Sequence, residues 1–254
     1  MPSTSLPLVN ARPRVQVDGR DMPALGATLV EATVHLPANG MGHAELMVGN
    51  WGIQPDGTVG FGFEGLRLGS ELVIAFGEEP SFRGQITALE ERYGDGAPHL
   101  VVLAEDALHR LARQRGSQAW SDQSLDDLLH DLARRLALRG DVQVDGASRV
   151  WLQHNESLLA FALRLLAPQA VPLRVEGDRL RARPEEPDPR PLRLDAGGNA
   201  RQVRLIADLA QQPRVAVAQG YDLAAGEVLQ GRAEALRPAP EGQTAAALLG
   251  TLGW

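Results

Sequence analysis

The chain has 254 residues, 44% of them hydrophobic and 22% charged, with a formal net charge of -7 and an isoelectric point near 5.4. That length suffices for one large or two modest domains with buried cores, and the acidic balance argues against a nucleic-acid backbone as partner. Cysteine is absent, which excludes disulfides, thiolate metal sites and cysteine nucleophiles.

All 25 basic residues are Arg, a pattern for which codon bias is a sufficient cause. The opening "MPSTSLPLVNARP" lacks a basic start followed by an apolar core, so no signal peptide is expected. No run approaches the ~20 apolar residues of a membrane span, so no membrane insertion is expected. The chain is expected to be cytoplasmic on synthesis.

From Arg14 to about Ala104 the pattern is β. Val15 and Val17 alternate with polar neighbours ahead of an Asp18-Gly19 turn, a strong hairpin cue. Leu72, Ile74 and Phe76 alternate before Gly77. Phe82, Gly84, Ile86 and Ala88 share one face of the next strand, with Arg83, Gln85 and Thr87 on the other. The glycine-rich stretch from Val48 to Leu68 reads as a loop flanking a short strand around Val59 and Phe61. Short strands with frequent Gly and Pro suggest a sandwich or barrel.

At Glu105 the character changes. "EDALHRLARQR" places Ala107, Leu108, Leu111 and Ala112 on one helical stripe. Leu125, Leu128, Leu129, Leu132, Ala133 and Leu136 follow the i, i+3, i+4, i+7 spacing of a second helix. Ser124 caps it, Asp126 and Asp127 sit in its first turn, Arg134, Arg135 and Arg139 crowd its far end, and Gly140 is expected to stop it.

"WLQHNESLLAFALRLLAPQ" predicts a third helix, N-capped by Asn155 and ended by Pro168. Arg164 is its only polar residue from Leu158 to Leu166, so most of its surface must be covered. Trp151, Leu158, Phe161 and Leu165 are its expected anchors. A hairpin follows, with Leu173, Val175, Leu180 and Ala182 inward, Arg174, Arg179, Arg181 and Arg183 outward, and the turn at Glu176-Gly177-Asp178. The Arg stripe reads first as a solvated face and second as a contact for an acidic subunit.

The Pro-rich "PEEPDPRP" connects to a second β region, where Val203, Leu205, Val215, Val217 and Val228 are the expected inward positions. The tail up to Trp254 reads as a short helix, with Trp254 available for an intermolecular contact.

No HExxH, nucleophile elbow, P-loop or dinucleotide fingerprint occurs. The six His lack paired ligand spacing. His109 and His130 read as structural, and adjacent acids such as Glu90-Glu91 point to opposite faces of a strand. No catalytic residue, metal or cofactor is expected.

Taken in order, "PRVQVDG", "FRGQITALEERY", "AEDALHRLARQR", "WLQHNESLLAFALRLLA" with its hairpin, and "VAVAQGYDLAAGEVLQGRAEAL" resemble the phage late control protein D family. That family is related to VgrG and to the baseplate hubs of contractile tails and injection systems. The resemblance implies an α+β, mainly β fold with a tail-tube-type β-barrel over 1–104 and a mixed helical and hairpin insert over 105–191. A second barrel, apparently incomplete, begins at 192–254.

It also implies a homotrimer that adapts a threefold spike to a sixfold tube, with tail-tube protein, spike and other baseplate subunits as partners, assembled into a virion tail or injection particle. On this reading the apolar helix is buried between the insert's sheet and the barrels or a neighbouring subunit. Two alternatives remain at this stage. A tail-associated cell-wall hydrolase needs two facing carboxylates, and a β-rich carbohydrate-binding module needs an exposed aromatic platform.

Overall fold

The computed structural model describes residues 12–62, 65–78, 80–144, 146–185 and 215–233. The chain divides into two compact units, Pro7–Pro191 and Met1–Leu6 with Leu192–Trp254.

The first unit opens with the hairpin β1 (Arg14–Val17) and β2 (Arg20–Asp21). Asp18 and Gly19 both take positive φ, +49° and +74°, the backbone of a tight turn that matches strand twist. A six-residue helix α1 (Pro23–Thr28) then appears where β structure was expected. Its Pro23 stands in the first turn, where the missing N–H costs nothing.

The strands β3 (Leu29–His35), β4 (His43–Val48), β7 (Glu71–Ala75), β8 (Phe82–Arg92) and β9 (His99–Glu105) complete a sheet of order β2-β1-β7-β8-β9-β4-β3, while β5 (Trp51–Ile53) and β6 (Val59–Phe61) form a separate hairpin. All neighbours in the large sheet are antiparallel. No ladder joins β2 to β3 among the described residues, so backbone pairing does not close the sheet into the expected barrel.

Its core is formed by Val15, Val17, Leu46, Val48, Leu72, Ile74, Phe82, Ile86, Leu100 and Val102. Phe76 departs from the expected stripe and is 43% exposed, because β7 ends at Ala75 and the turn to β8 begins there. In β8 the expected alternation holds from Phe82 to Ile86. A bulge between Ile86 and Ala88 then reverses it, so that Leu89 rather than Ala88 packs on the core.

A second core lies in the residues that follow. Helix α2 (His109–Ala112) contributes Leu111, with Leu108 just before it. Helix α3 (Leu125–Arg135) buries Leu125, Leu128, Leu129, Leu132 and Ala133, and Ser124 Oγ accepts from Asp127 N at its start. The helix stops earlier than expected: Leu136 is the C-cap and Ala137 turns left-handed at φ +57°. Gly140 lies instead in β11 (Arg139–Val142), where a Cβ would fall 2.2 Å from the His130 ring.

Two further strands, β10 (Arg115–Gln123) and β12 (Arg149–Ser157), pair as an irregular antiparallel ribbon that the sequence pattern did not reveal. Asn155 therefore sits in a strand, at φ +45°. The N-cap of α4 (Leu158–Leu166) is Ser157, whose Oγ accepts from Ala160 N. Pro168 follows in a short 3-10 turn, Ala167–Gln169. The hairpin β13 (Leu173–Glu176) and β14 (Arg179–Ala182) forms at the expected positions, with Gly177 at φ +58°. It joins β11 through a parallel ladder, Arg139↔Arg179 to Val142↔Ala182.

The described part of the second unit is one hairpin, β15 (Ala216–Asp222) and β16 (Glu227–Ala233), paired from Ala216↔Ala233 to Asp222↔Glu227. Asp222 Oδ1 accepts from Ala224 N and Ala225 N in its turn. Val203, Leu205, the expected tail helix and Trp254 lie outside the described residues. No helix among the described residues is long and apolar enough to cross a membrane.

Gly84 tests the packing of β8 on β9. A Cβ there would stand 2.3 Å from Glu105 O and 2.7 Å from the Phe82 ring. Gly84→Ala should therefore destabilise the first unit by about 1–3 kcal/mol through overpacking. Gly94→Ala, where a Cβ meets nothing within 4 Å, should not. Urea midpoints at unchanged m-value are the measurement.

Candidate interaction surfaces

Helix α4 is covered from within its own unit. Leu158, Leu159, Phe161, Ala162 and Leu166 are buried, and Leu163 and Leu165 pack partly buried against the same core. The helix contacts α2, β12 and β13, so among the described residues its cover comes from the insert, the expected sheet included, and not from the large sheet. Its wet stripe consists of Ala160 and Arg164. Arg164 reaches back to Glu156, at 2.6 Å, and to Leu152 O, at 2.8 Å, and its guanidinium lies over the Phe161 ring. Those hydrogen bonds hold the Glu156 carboxyl below its ordinary range.

Of the expected anchors, Leu158 and Phe161 are buried, while Leu165 and Trp151 are half-buried. Trp151 Nε1 donates to Gln123 O at 2.9 Å and pairs across the ribbon with Trp120. Trp120, buried under Arg135, stacks on Phe161 at 6.3 Å between ring centroids. Its place on Phe161 follows from the unrecognised β10–β12 pairing.

The four hairpin Arg do not form a free cationic stripe. Arg174 is packed, with its side chain 17% exposed, and pairs with both Glu176 and Glu185. Arg181 Nη1 lies 2.9 Å from Glu176, Arg183 Nη1 lies 3.5 Å from Asp141, and Arg179, the most exposed of the four, lies 3.9 Å from Asp178. Each cation thus has a carboxylate within its own unit. Arg174 holds Glu185 below the ordinary glutamate range. For Glu176, burial pushes upward, but the hydrogen bonds from Arg174 and Arg181 outweigh it and the net shift is downward.

Outside that network, Trp51, Phe61 and Tyr93 cluster at the β5–β6 hairpin with ring planes crossing at 72°, 86° and 62°. Edge-to-face rings of this kind stabilise one another, and Trp51 and Tyr93 remain partly exposed. His109 is buried, with Nδ1 donating to Asp106 O at 2.8 Å. His130 lies 3.6 Å from Asp126 on α3. No group of three or more metal-ligating side chains converges among the described residues.

Two positions expected inward, Val217 and Val228, are exposed. In the β15–β16 hairpin, Val217, Tyr221 and Val228 share a face and are 50%, 58% and 69% exposed. The opposite face carries Ala216, Ala218, Gly220, Gly231 and Ala233 around Leu229. Val215 is half-buried. The first face also carries Gln219, Gln230 and Arg232, and the second Asp222 and Glu227, so both mix apolar and polar positions.

The mainly antiparallel sheet and the compact helical insert with its own core form a fold shared with phage tail proteins. Among solved structures, the 43 kDa tail protein of prophage MuSo2 from Shewanella oneidensis matches 92% of this chain and 74% of its own, with a TM-score of 0.68 at 14% identity. A tail protein from Neisseria meningitidis MC58 matches 95% and 74%, with a TM-score of 0.62 at 11% identity. Prophage tail protein gp18 from Listeria monocytogenes EGD-e matches 87% and 67%, with a TM-score of 0.54 at 12% identity. At these identities the likeness is one of fold. The resemblance to the proteins of phage tails, read from ordered segments, is borne out at that level. No family model and no curated relative matches the chain.

The Glu176 network gives a pH dependence. A carboxyl held below its ordinary range contributes stability that is complete above the unfolded value, about 4.3, and lost as the pH falls through the lower folded value. The melting temperature of the wild type should therefore fall more steeply below about pH 4.3 than that of Glu176→Gln, measured by circular dichroism.

Proposed function

We propose that this chain is a structural component of a tail or baseplate hub, in a phage tail or contractile injection system, that adapts a threefold spike to a sixfold tube. The observation that carries the reading is the fold shared with the MuSo2 tail protein over 92% of the chain. In this reading residues 1–104 are the first strand-built module, 105–191 the insert, and 192–254 the start of the second module. Three copies then supply six strand-built modules, and tail-tube and spike proteins are the partners.

Two surfaces support it. Among the described residues the large sheet ends at β2 and β3 with no further strand paired to them, and unpaired edges invite strands from another chain. The β15–β16 hairpin exposes apolar side chains that a neighbour would cover. Trp254, Arg179 and, to a lesser degree, Arg174, Arg181 and Arg183 are interface residues in this proposal. Neither the ion pairs nor the buried groups described above form a catalytic constellation, and the role proposed is non-enzymatic.

The test is assembly. Sedimentation velocity and negative-stain imaging of the full chain, alone and with its tail-tube protein, should give a closed ring with a central channel. The double variant Tyr221→Ser, Leu229→Ser should reduce association while leaving the melting of the first unit unchanged. A monomer under both conditions would overturn the proposal.

A further inference from the structure

The first unit holds two cores that share no buried residue, one in the large sheet and one in the helices and β13–β14. Its principal element packings all lie within one core or the other. The described chain passes between them once, from β9 into α2. Beside that passage lies a cleft of about 850 Å³ whose walls come from both sides, including Phe82 and Gly84 of the sheet and Leu136, Leu138 and Val175 of the insert.

The charged side chains that line the cleft are hydrogen-bonded or ion-paired within the unit. Glu71 pairs with Arg83, Arg110 donates to Leu136 O, Glu176 pairs with Arg174 and Arg181, and Asp178 pairs with Arg139. Asp106 accepts two backbone hydrogen bonds.

What spans the two bodies is the connection between β3 and β4. Gly40 N donates to Leu173 O at 2.7 Å, and Leu173 N donates to Asn39 Oδ1 at 2.9 Å. Leu173 is fully buried, so both polar groups of its peptide unit depend on the loop. Arg174 Nη1 donates to Ala38 O at 3.2 Å, and Met41 inserts into the insert's core. The base of the loop is pegged to the sheet, where Gly42 N donates to Asp106 Oδ2 at 2.7 Å and Asp106 N donates to Gly42 O at 3.0 Å. A side chain at position 42 would crowd Asp106 Oδ2 at 3.1 Å and Leu36 at 3.2 Å.

We infer that residues 38–42 form a strap that sets the angle between sheet and insert, with Asn39 as the positioning residue on the insert's edge strand and Asp106 as the peg on the sheet. With the strap released, the insert turns about the Glu105–Ala107 passage into the neighbouring cleft while both cores stay folded. The device is intramolecular and does not depend on the assembly proposed above.

The absence of native cysteine allows a direct test. Asp95→Cys in the β8–β9 turn and Ser148→Cys in the insert, both at exposed positions, carry a dye pair on the full chain for single-molecule distance measurement. The parent should give one narrow distribution. Asn39→Ala should broaden and shift it, and raise amide exchange at Leu173 about threefold to tenfold, the loss of one hydrogen bond, while α3 and β9 keep their protection. Asn39→Asp, which keeps the acceptor, should restore the parent distribution. Met41→Ser should act in the same direction as Asn39→Ala. An unchanged narrow distribution in both Asn39→Ala and Met41→Ser would overturn the inference, as would joint loss of protection in both cores.

Discussion

Asp106 stands where the last strand of the sheet gives way to the first helix of the insert, and its carboxylate is filled by two backbone donors, Gly42 N and Leu108 N. One bond continues the edge of the β4–β9 ladder, and the other starts the turn into α2. Burial pushes the Asp106 carboxyl upward, against the opposing pull of those two donors. The residue therefore joins the direction in which β9 ends to the direction in which α2 begins. The placement of the second core relative to the first follows from that junction and from the loop pegged to it.

What the residue pattern could and could not reveal follows from the range over which each signal acts. Helix α3 is legible because five apolar positions, a Ser cap and an acidic first turn agree within a dozen residues. The β13–β14 hairpin is legible for the same local reason. The β10–β12 ribbon is not: "RGSQAWSDQ" has no alternation, and its bulges between Gly116 and Gln118 and between Trp120 and Gln123 erase what period remains. Missing that ribbon also moved the cap of α4 from Ser157 to Asn155, since the strand runs through the position where a cap was expected.

The candidate surfaces show the same limit more sharply. Alternation correctly separates Arg174 and Arg181 from Leu173 and Leu180, yet it does not reveal that Glu185, beyond the end of β14, folds back on Arg174. In β15 and β16, alternation identifies strands but carries no information on whether anything covers them. Val217 and Val228 read as inward by residue type, yet they are 50% and 69% exposed. The fold itself is robust to such details. At 14% identity to the MuSo2 tail protein, the shared content is the placement of apolar volume, which tolerates extensive exchange among hydrophobic residues.

The parallel ladder between β11 and β14 has a consequence for synthesis. Antiparallel neighbours can form soon after their turn emerges, but Arg139 waits for Arg179, about forty residues later, before its strand gains a partner. Closing a loop of that length precedes the reward of the contact, which makes such pairings slow. During translation, β11 reaches α3 first, and Leu180 and Ala182, which complete the same core, arrive last, so part of the leucine face of α3 waits for them.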